Sequence, residues 1–161
     1  MYLNPCDVSG QGHSIREQCY DKSTYNDKET PVFSPKSTFS GYSVDDAAKA
    51  KEFYTQKLGL ELASEAMGLG FSLPGGAKLF MYEKPDHQPA TFTVLNFVVD
   101  DIDAAVEALQ SQGVRFERYE LGGGAEQDDK NILRGLSVGM GPDIAWFKDP
   151  AGNVLAVLQD E

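Results

Sequence analysis

The sequence predicts an α+β fold of two βαβββ modules that together enclose one pocket for a small molecule. Three observations predict it. A strand-like stretch, an acidic pair, a helical stripe and at least three more strand-like stretches occur in that order twice. The letters repeat too: Val44-Asp45-Asp46 returns as Val99-Asp100-Asp101, Ala50 as Ala105 and Glu52 as Glu107. Each helical stretch stops at a glycine, Gly59 in the first copy and Gly113 in the second, the residue that most readily takes the left-handed backbone of a helix end.

The elements follow in order. Residues 37–44 alternate bulky and small side chains, which is the period of a strand. Asp45 and Asp46 offer an N-cap. Ala47, Ala50, Tyr54 and Leu58 then fall at helical spacing, with Phe53 beside them. Residues 60–66 read as a strand, as do a short stretch around Phe71 and residues 77–83, with the turn Pro74-Gly75-Gly76 between the last two. Residues 84–89 form a linker, and the first module spans 37–90. In the second module, 91–161, residues 91–99 have the β-branched and aromatic content of a strand. Asp100 and Asp101 offer the next cap, and Ile102, Ala105, Val106 and Leu109 make the stripe. Residues 114–121 read as a strand, 122–131 as a glycine-rich acidic loop, and 136–138 and 144–147 as short strands. The tight turn Asp149-Pro150-Ala151-Gly152 leads into a last strand over 153–159.

Residues 1–36 differ: they are a polar N-terminal extension, rich in Ser, Asp, Lys, Asn and Gly, with no persistent period. The extension has neither a basic start nor an apolar run, so no secretory signal is read there and the cytoplasm is the expected location. Cys6, Cys19 and His13 lie within it. Three candidate donors fall short of the four that a structural zinc site uses. Nowhere does an apolar run approach the roughly 20 residues that cross a bilayer, so no membrane is expected. The net charge of −11 argues against a nucleic-acid partner, whose backbone demands clustered Lys and Arg.

Three stretches carry a family resemblance: VDDAAKAKEFYTQKLGL over residues 44–60, VDDIDAAVEALQSQG over 99–113 and WFKDPAGNVLAV over 146–157. Together they resemble the vicinal oxygen chelate superfamily, which includes glyoxalase I, extradiol dioxygenases, fosfomycin-resistance enzymes and bleomycin-binding proteins. The resemblance covers about residues 37–160. It implies that the two modules pair into a cupped, curved mixed sheet with the helices outside. In the enzymes it implies a divalent metal in the cup, held by His or Gln on the first strand of each module and Glu on the last, acting as a Lewis acid. The matching positions here are Phe39 and Val94 on the first strands, and Phe80 and Ala156 on the last, with Leu79 or Met81 in place of Phe80 if the register slips. None is a metal ligand, so neither a metal nor another cofactor is expected.

The cup is therefore expected to be apolar, lined by Phe39, Phe80, Tyr82, Val94, Asn96, Trp146 and Ala156. Asn96 is expected on the face of Val94 and Val98, where a buried amide needs partners and a ligand can be one. Ser43 is a weaker polar candidate beside Tyr82. His87, one of two histidines, has the chemistry of a general base but sits in a linker, where a solvated or turn-capping role is the plainer reading; Glu83 and Asp86 stand near it. Asp149 reads as a turn residue bonding its own backbone. The loop Leu121-Gly122-Gly123-Gly124 lacks the Gly-Lys-Ser/Thr ending of a phosphate loop and reads as a lid, with Asp128, Asp129 and Lys130 as ligand contacts or solvated charges. Two functional classes follow. One is a metal-free, homodimeric binding protein for an apolar or aromatic, neutral or cationic molecule, as the resemblance to bleomycin-resistance proteins implies. The other is a lyase, isomerase or dioxygenase using unusual metal ligands, or metal-free acid–base chemistry by His87, Tyr82 or an acidic loop residue.

Overall fold

The computed structural model describes residues 33–122 and 125–160. The chain falls into two units, Met1–Pro35 and Lys36–Glu161, and every element named below belongs to the second. Cys6, His13, Cys19 and nearly all of the polar extension lie outside the described residues.

Strand β1 (Ser40–Val44) leads to Asp46, whose carboxylate accepts the Lys49 N–H at 3.0 Å and starts helix α1 (Ala47–Glu52). The helix then widens into a π-helical turn, Phe53–Lys57, closed by the Leu58 N–H on the Phe53 carbonyl at 3.1 Å. This wider turn turns both neighbouring rings inward: Phe53 and Tyr54 are buried. Gly59, at φ +67°, ends it. Strands β2 (Glu61–Ser64), β3 (Leu69–Ser72) and β4 (Lys78–Glu83) complete the module in the order β1-β4-β3-β2, with β4 parallel to β1.

The second module repeats the plan. After β5 (Thr93–Val98), Asp101 accepts the Ala104 N–H at 3.0 Å and starts α2 (Ile102–Ser111). The two capping residues share one backbone conformation, φ −144° at Asp46 and −140° at Asp101. Then come β6 (Leu133–Arg134), α3 (Gly135–Val138), β7 (Asp143–Lys148) and β8 (Val154–Gln159), in the order β5-β8-β7-β6 with β8 parallel to β5. Two four-stranded mixed sheets with helices, each a βαβββ module, are what the repeat predicts.

One face of each sheet is interior. In the first, Val44, Leu69, Phe71, Leu79 and Met81 are buried; in the second, Ala145, Phe147, Leu155 and Val157 are. Rings join the modules: Phe53 lies 6.5 Å from Phe147 and 5.3 Å from Tyr54, and Phe116 5.5 Å from Phe147. Each fully buried side chain of this size contributes about 2–3 kcal/mol through area removed from water. A polar staple accompanies the rings. Tyr54 Oη donates to Asp149 Oδ2 at 2.9 Å, which leaves Tyr42 Oη as the donor of its 2.9 Å bond to Tyr54. Asn153 Nδ2 donates both to Asp149 Oδ2 at 3.0 Å and to the Ser43 carbonyl at 3.1 Å. Asp149 thus caps its turn, as expected, and also ties the β7–β8 turn to the first module.

Three expectations are corrected. Residues 114–121 are not a strand: only Phe116 bridges to Phe147. Side chains take up the backbone bonds that a strand would use. Gln127 accepts from the Tyr119 N–H and donates to the Glu117 carbonyl, and Asn131 Nδ2 donates to the Phe116 carbonyl. Residues 136–138 belong to helix α3 rather than to a strand, because the Asp143 carboxylate accepts the Leu136 N–H and Gly139 closes the turn at φ +65°. Nor are Asp128 and Lys130 merely solvated charges. Asp128 accepts from the Lys130 and Ile132 N–H groups and from Arg134, while Lys130 is bound to Asp103 and Glu107 on α2. Asp128 and Lys130 are spent on the fold rather than on a ligand. Gly123 and Gly124 lie outside the described residues.

Candidate functional site

The outer face of the first sheet carries the candidate site. Its residues alternate with the interior set: Phe80 and Tyr82 on β4, Gly41 and Ser43 on β1, Gly70 and Ser72 on β3. The small residues leave room and the large ones wall it. Phe39 meets Phe80 edge-on at 6.3 Å and 81°, and Tyr82 stacks on the other side of Phe80 at 6.3 Å and 23°. Phe39 and Tyr82 stay exposed, at 67% and 42%. The Phe80 ring lies against β3 because Gly68 has no side chain. A Cβ there would stand 2.7 Å from Phe80 Cζ, on a backbone at φ +152° that only glycine takes readily.

Two cavities open on this face. The first, about 440 Å³, is walled by Phe39, Phe80 and Ser64, floored by Gly70 and Ser72, with Lys78 as the one charged lining residue. The second, about 510 Å³, runs between β1 and the chain entering β5, with Ser43, Tyr82, Phe92, Val94 and Asn153 in its lining.

The predicted site residues divide between the sheets. Phe39, Phe80 and Tyr82 meet as one ring ladder, and Val94 joins Tyr82 in the second cavity. Asn96, Ala156 and Trp146 are cross-strand neighbours on the second sheet, registered Asn96–Ala156 and Trp146–Ala156. Neither cavity takes in any of those three. Ala156 is fully buried between its larger neighbours, and the half-buried Trp146 packs edge-on against Tyr119 at 5.8 Å. Asn96 shares its face with the 62%-exposed Val98 and is itself exposed, so the expectation of a buried amide in need of a partner is corrected: water satisfies it. Gly68, Gly70, Ser64, Ser72 and Lys78 were not anticipated. The signal was present in Leu69-Gly70-Phe71-Ser72, where large and small residues alternate and so mark an open, shallow outer face.

The chemistry of these walls is limited. Phe39, Phe80, Val94 and Ala156 supply no metal donor, and among the described residues no three His, Cys, Asp or Glu side chains are grouped to hold a metal ion. The residues present do not fit the metal that the resemblance implies for the enzymes. Burial pushes the Tyr42 and Tyr54 phenols far above the ordinary tyrosine range, and for Tyr54 the neighbouring Tyr42 and Asp149 add to it. Both stay protonated as structural donors. Among the described residues every buried side-chain polar atom has a partner, so none is left waiting for a ligand.

Comparison with solved structures finds the same fold in other proteins. An integron cassette protein from the mobile metagenome of the Halifax Harbour sewage outfall superposes with a TM-score of 0.55 at 22% identity, covering 78% of this chain and 99% of that one. TnmS3, an antibiotic binding protein from a Streptomyces species, gives 0.53 at 26% identity, covering 78% and 97%. The fosfomycin resistance protein FosX of Listeria monocytogenes gives 0.57 at 14% identity, covering 81% and 94%. No curated protein sequence matches the chain. A family model matches residues 39–157. Because that match runs from Phe39 at the head of the first module into the last strand of the second, the chain belongs to the Glyoxalase/Bleomycin resistance protein/Dioxygenase superfamily.

Proposed function

We propose that the chain binds, without a metal, a small aromatic molecule on the Phe39–Phe80–Tyr82 ladder. One observation carries this reading: three aromatic rings stand in contact on an open sheet face, over a floor of glycine and serine that leaves space for another ring. Apolar walls with a few directional polar groups are the usual make-up of a small-molecule site. The likeness to TnmS3, an antibiotic binding protein, supports the same class of function. Lys78 disfavours a cation within the first cavity, whereas the net charge of −11 opposes an anion at long range, so a neutral ring is preferred.

Thermal-shift screening against neutral, cationic and anionic aromatics is expected to return neutral binders first. Phe80→Ala is expected to weaken the best of them about 10-fold or more, the loss of one stacking partner and its contact area, with no change on adding EDTA. Affinity unaltered in Phe80→Ala, or abolished by EDTA, would refute the reading.

We further propose a homodimer. Phe92 and Val98 stand 69% and 62% exposed beside β1 and β5, each an edge strand of its sheet, and a bare edge with apolar neighbours invites a partner. Light scattering at micromolar concentration is expected to give twice the chain mass; a monomer mass would end the proposal. No helix among the described residues is long and apolar enough to cross a membrane.

A further inference from the structure

We propose that Ser43 and His87 form a nucleophile–base pair whose serine opens into the second cavity, and that the pair transfers acyl groups from small esters. The inference goes beyond ligand binding and does not depend on the aromatic ladder being occupied. Ser43 Oγ lies 2.8 Å from His87 Nδ1, and His87 Nε2 lies 3.0 Å from the Ala151 carbonyl oxygen. A carbonyl only accepts, so in the neutral ring Nε2 carries the hydrogen and Nδ1 presents its lone pair to the serine hydroxyl. That is the arrangement an activated serine requires: a hydroxyl on a base whose tautomer and orientation a third group fixes. Each member comes from a different part of the fold. Ser43 sits on β1, held by the Asn153 Nδ2 bond to its own carbonyl at 3.1 Å; His87 sits in the linker after β4, and Ala151 in the β7–β8 turn.

Ser43 is half-buried and lines the cavity of about 510 Å³, across the strand pair from Tyr82. Phe92 and Val94 supply an apolar wall for an acyl chain or ring, and Gln88, Thr93 and Tyr82 are the donors in the same lining for a developing oxyanion. The reaction balances without a further reagent than water. Ser43 Oγ bonds to the ester carbonyl carbon as its proton passes to Nδ1. The bond to the alcohol then breaks, and the alcohol leaves with that proton. Water attacks the acyl carbon, giving a proton to Nδ1 that returns to Oγ as the acid departs. The substrate class is a small ester with an apolar or aromatic acyl group.

The test is treatment of the full chain with a fluorophosphonate probe, followed by peptide mass spectrometry, alongside hydrolysis of 4-nitrophenyl butyrate. The expected result is a single phosphonylated peptide containing Ser43, with ester turnover lost in Ser43→Ala. His87→Gln, which keeps a side-chain amide in place of the ring, is expected to slow labelling by about 100-fold or more, the usual contribution of a positioned base. Ser43→Cys is expected to move labelling at this position from the fluorophosphonate to iodoacetamide. Wild-type protein that is not labelled, or is labelled at other serines, overturns the proposal whatever the variants do, and so does His87→Gln reacting at the wild-type rate.

Discussion

Asp149→Ala is expected to cost about 3 kcal/mol of folding stability, because it takes the acceptor from three donor groups on two buried residues at once. The carboxylate accepts from Tyr54 Oη at 2.9 Å, from the Asn153 N–H at 2.8 Å and from Asn153 Nδ2 at 3.0 Å. Tyr54 is 0% and Asn153 2% exposed, so neither finds water when the acceptor goes. Urea unfolding followed by Trp146 fluorescence measures the loss. Tyr54→Phe in the same background separates the terms: it removes one stranded hydroxyl, so the double variant is expected to be less than additive by about 1 kcal/mol or more. A loss below about 1 kcal/mol for Asp149→Ala, typical of an exposed turn residue, would show that the turn does not staple the modules.

Arg134→Leu is expected to cost about 2 kcal/mol near neutral pH and less in acid. The guanidinium grips Asp103 with two bonds of 2.8 Å and reaches Asp128 at 2.8 Å and Asp143 at 3.2 Å. Without it three carboxylates converge, with Lys130 bound to Asp103 alone among them, and Asp143 is 8% exposed. The hydrogen bonds from Arg134 and then from Lys130 hold the Asp103 carboxyl well below the usual carboxylate range. Burial would raise Asp128, but the Ile132 N–H and Arg134 outweigh it and lower it too. A carboxyl depressed in the folded state stabilises above its unfolded value and loses that stabilisation as the pH falls through its folded one. Wild type therefore weakens below about pH 4, the unfolded range, and the gap to Arg134→Leu narrows there. Asp103 is 41% exposed, so solvent screens much of the effect, and added salt is expected to shrink it. A cost at pH 3 as large as at pH 7 would contradict this electrostatic account.

What the sequence disclosed follows from how near along the chain each cause lies. Asp46 and Asp101 cap helices three residues away, and Gly59 ends the first one in place. Those elements were legible because one turn of chain contains the whole interaction. Residues 114–121 have strand letters, but the partner for their backbone is the side chain of Gln127, and no local pattern announces that choice. The site divides in the same way. The resemblance marked Phe39 and Phe80, and they do meet. Asn96 was put on the correct face by alternation, whereas its exposure depends on what covers that face, which alternation does not encode. Ser43 and His87 are separated by a helix and three strands, and only the return of β4 beside β1 brings them together.

The patchwork beside β7 has a consequence for the growth and drift of the chain. Leu133–Arg134 occupies one end of that strand and Phe116 the other, while the Gln127 amide binds the backbone at Glu117, Tyr119 and Asn131. An incoming strand finds no long row of free amides and carbonyls to zip along, so stacking of one molecule on the next in cross-β fashion is blocked at this margin without a full-length guard strand. The same arrangement leaves the described residues of the stretch between Tyr119 and Gln127 outside any strand ladder. Its length can change by insertion or deletion at only about 0.6 kcal/mol per doubling in closure entropy, so length variation among descendants of this gene should gather there while the strands on either side keep their count.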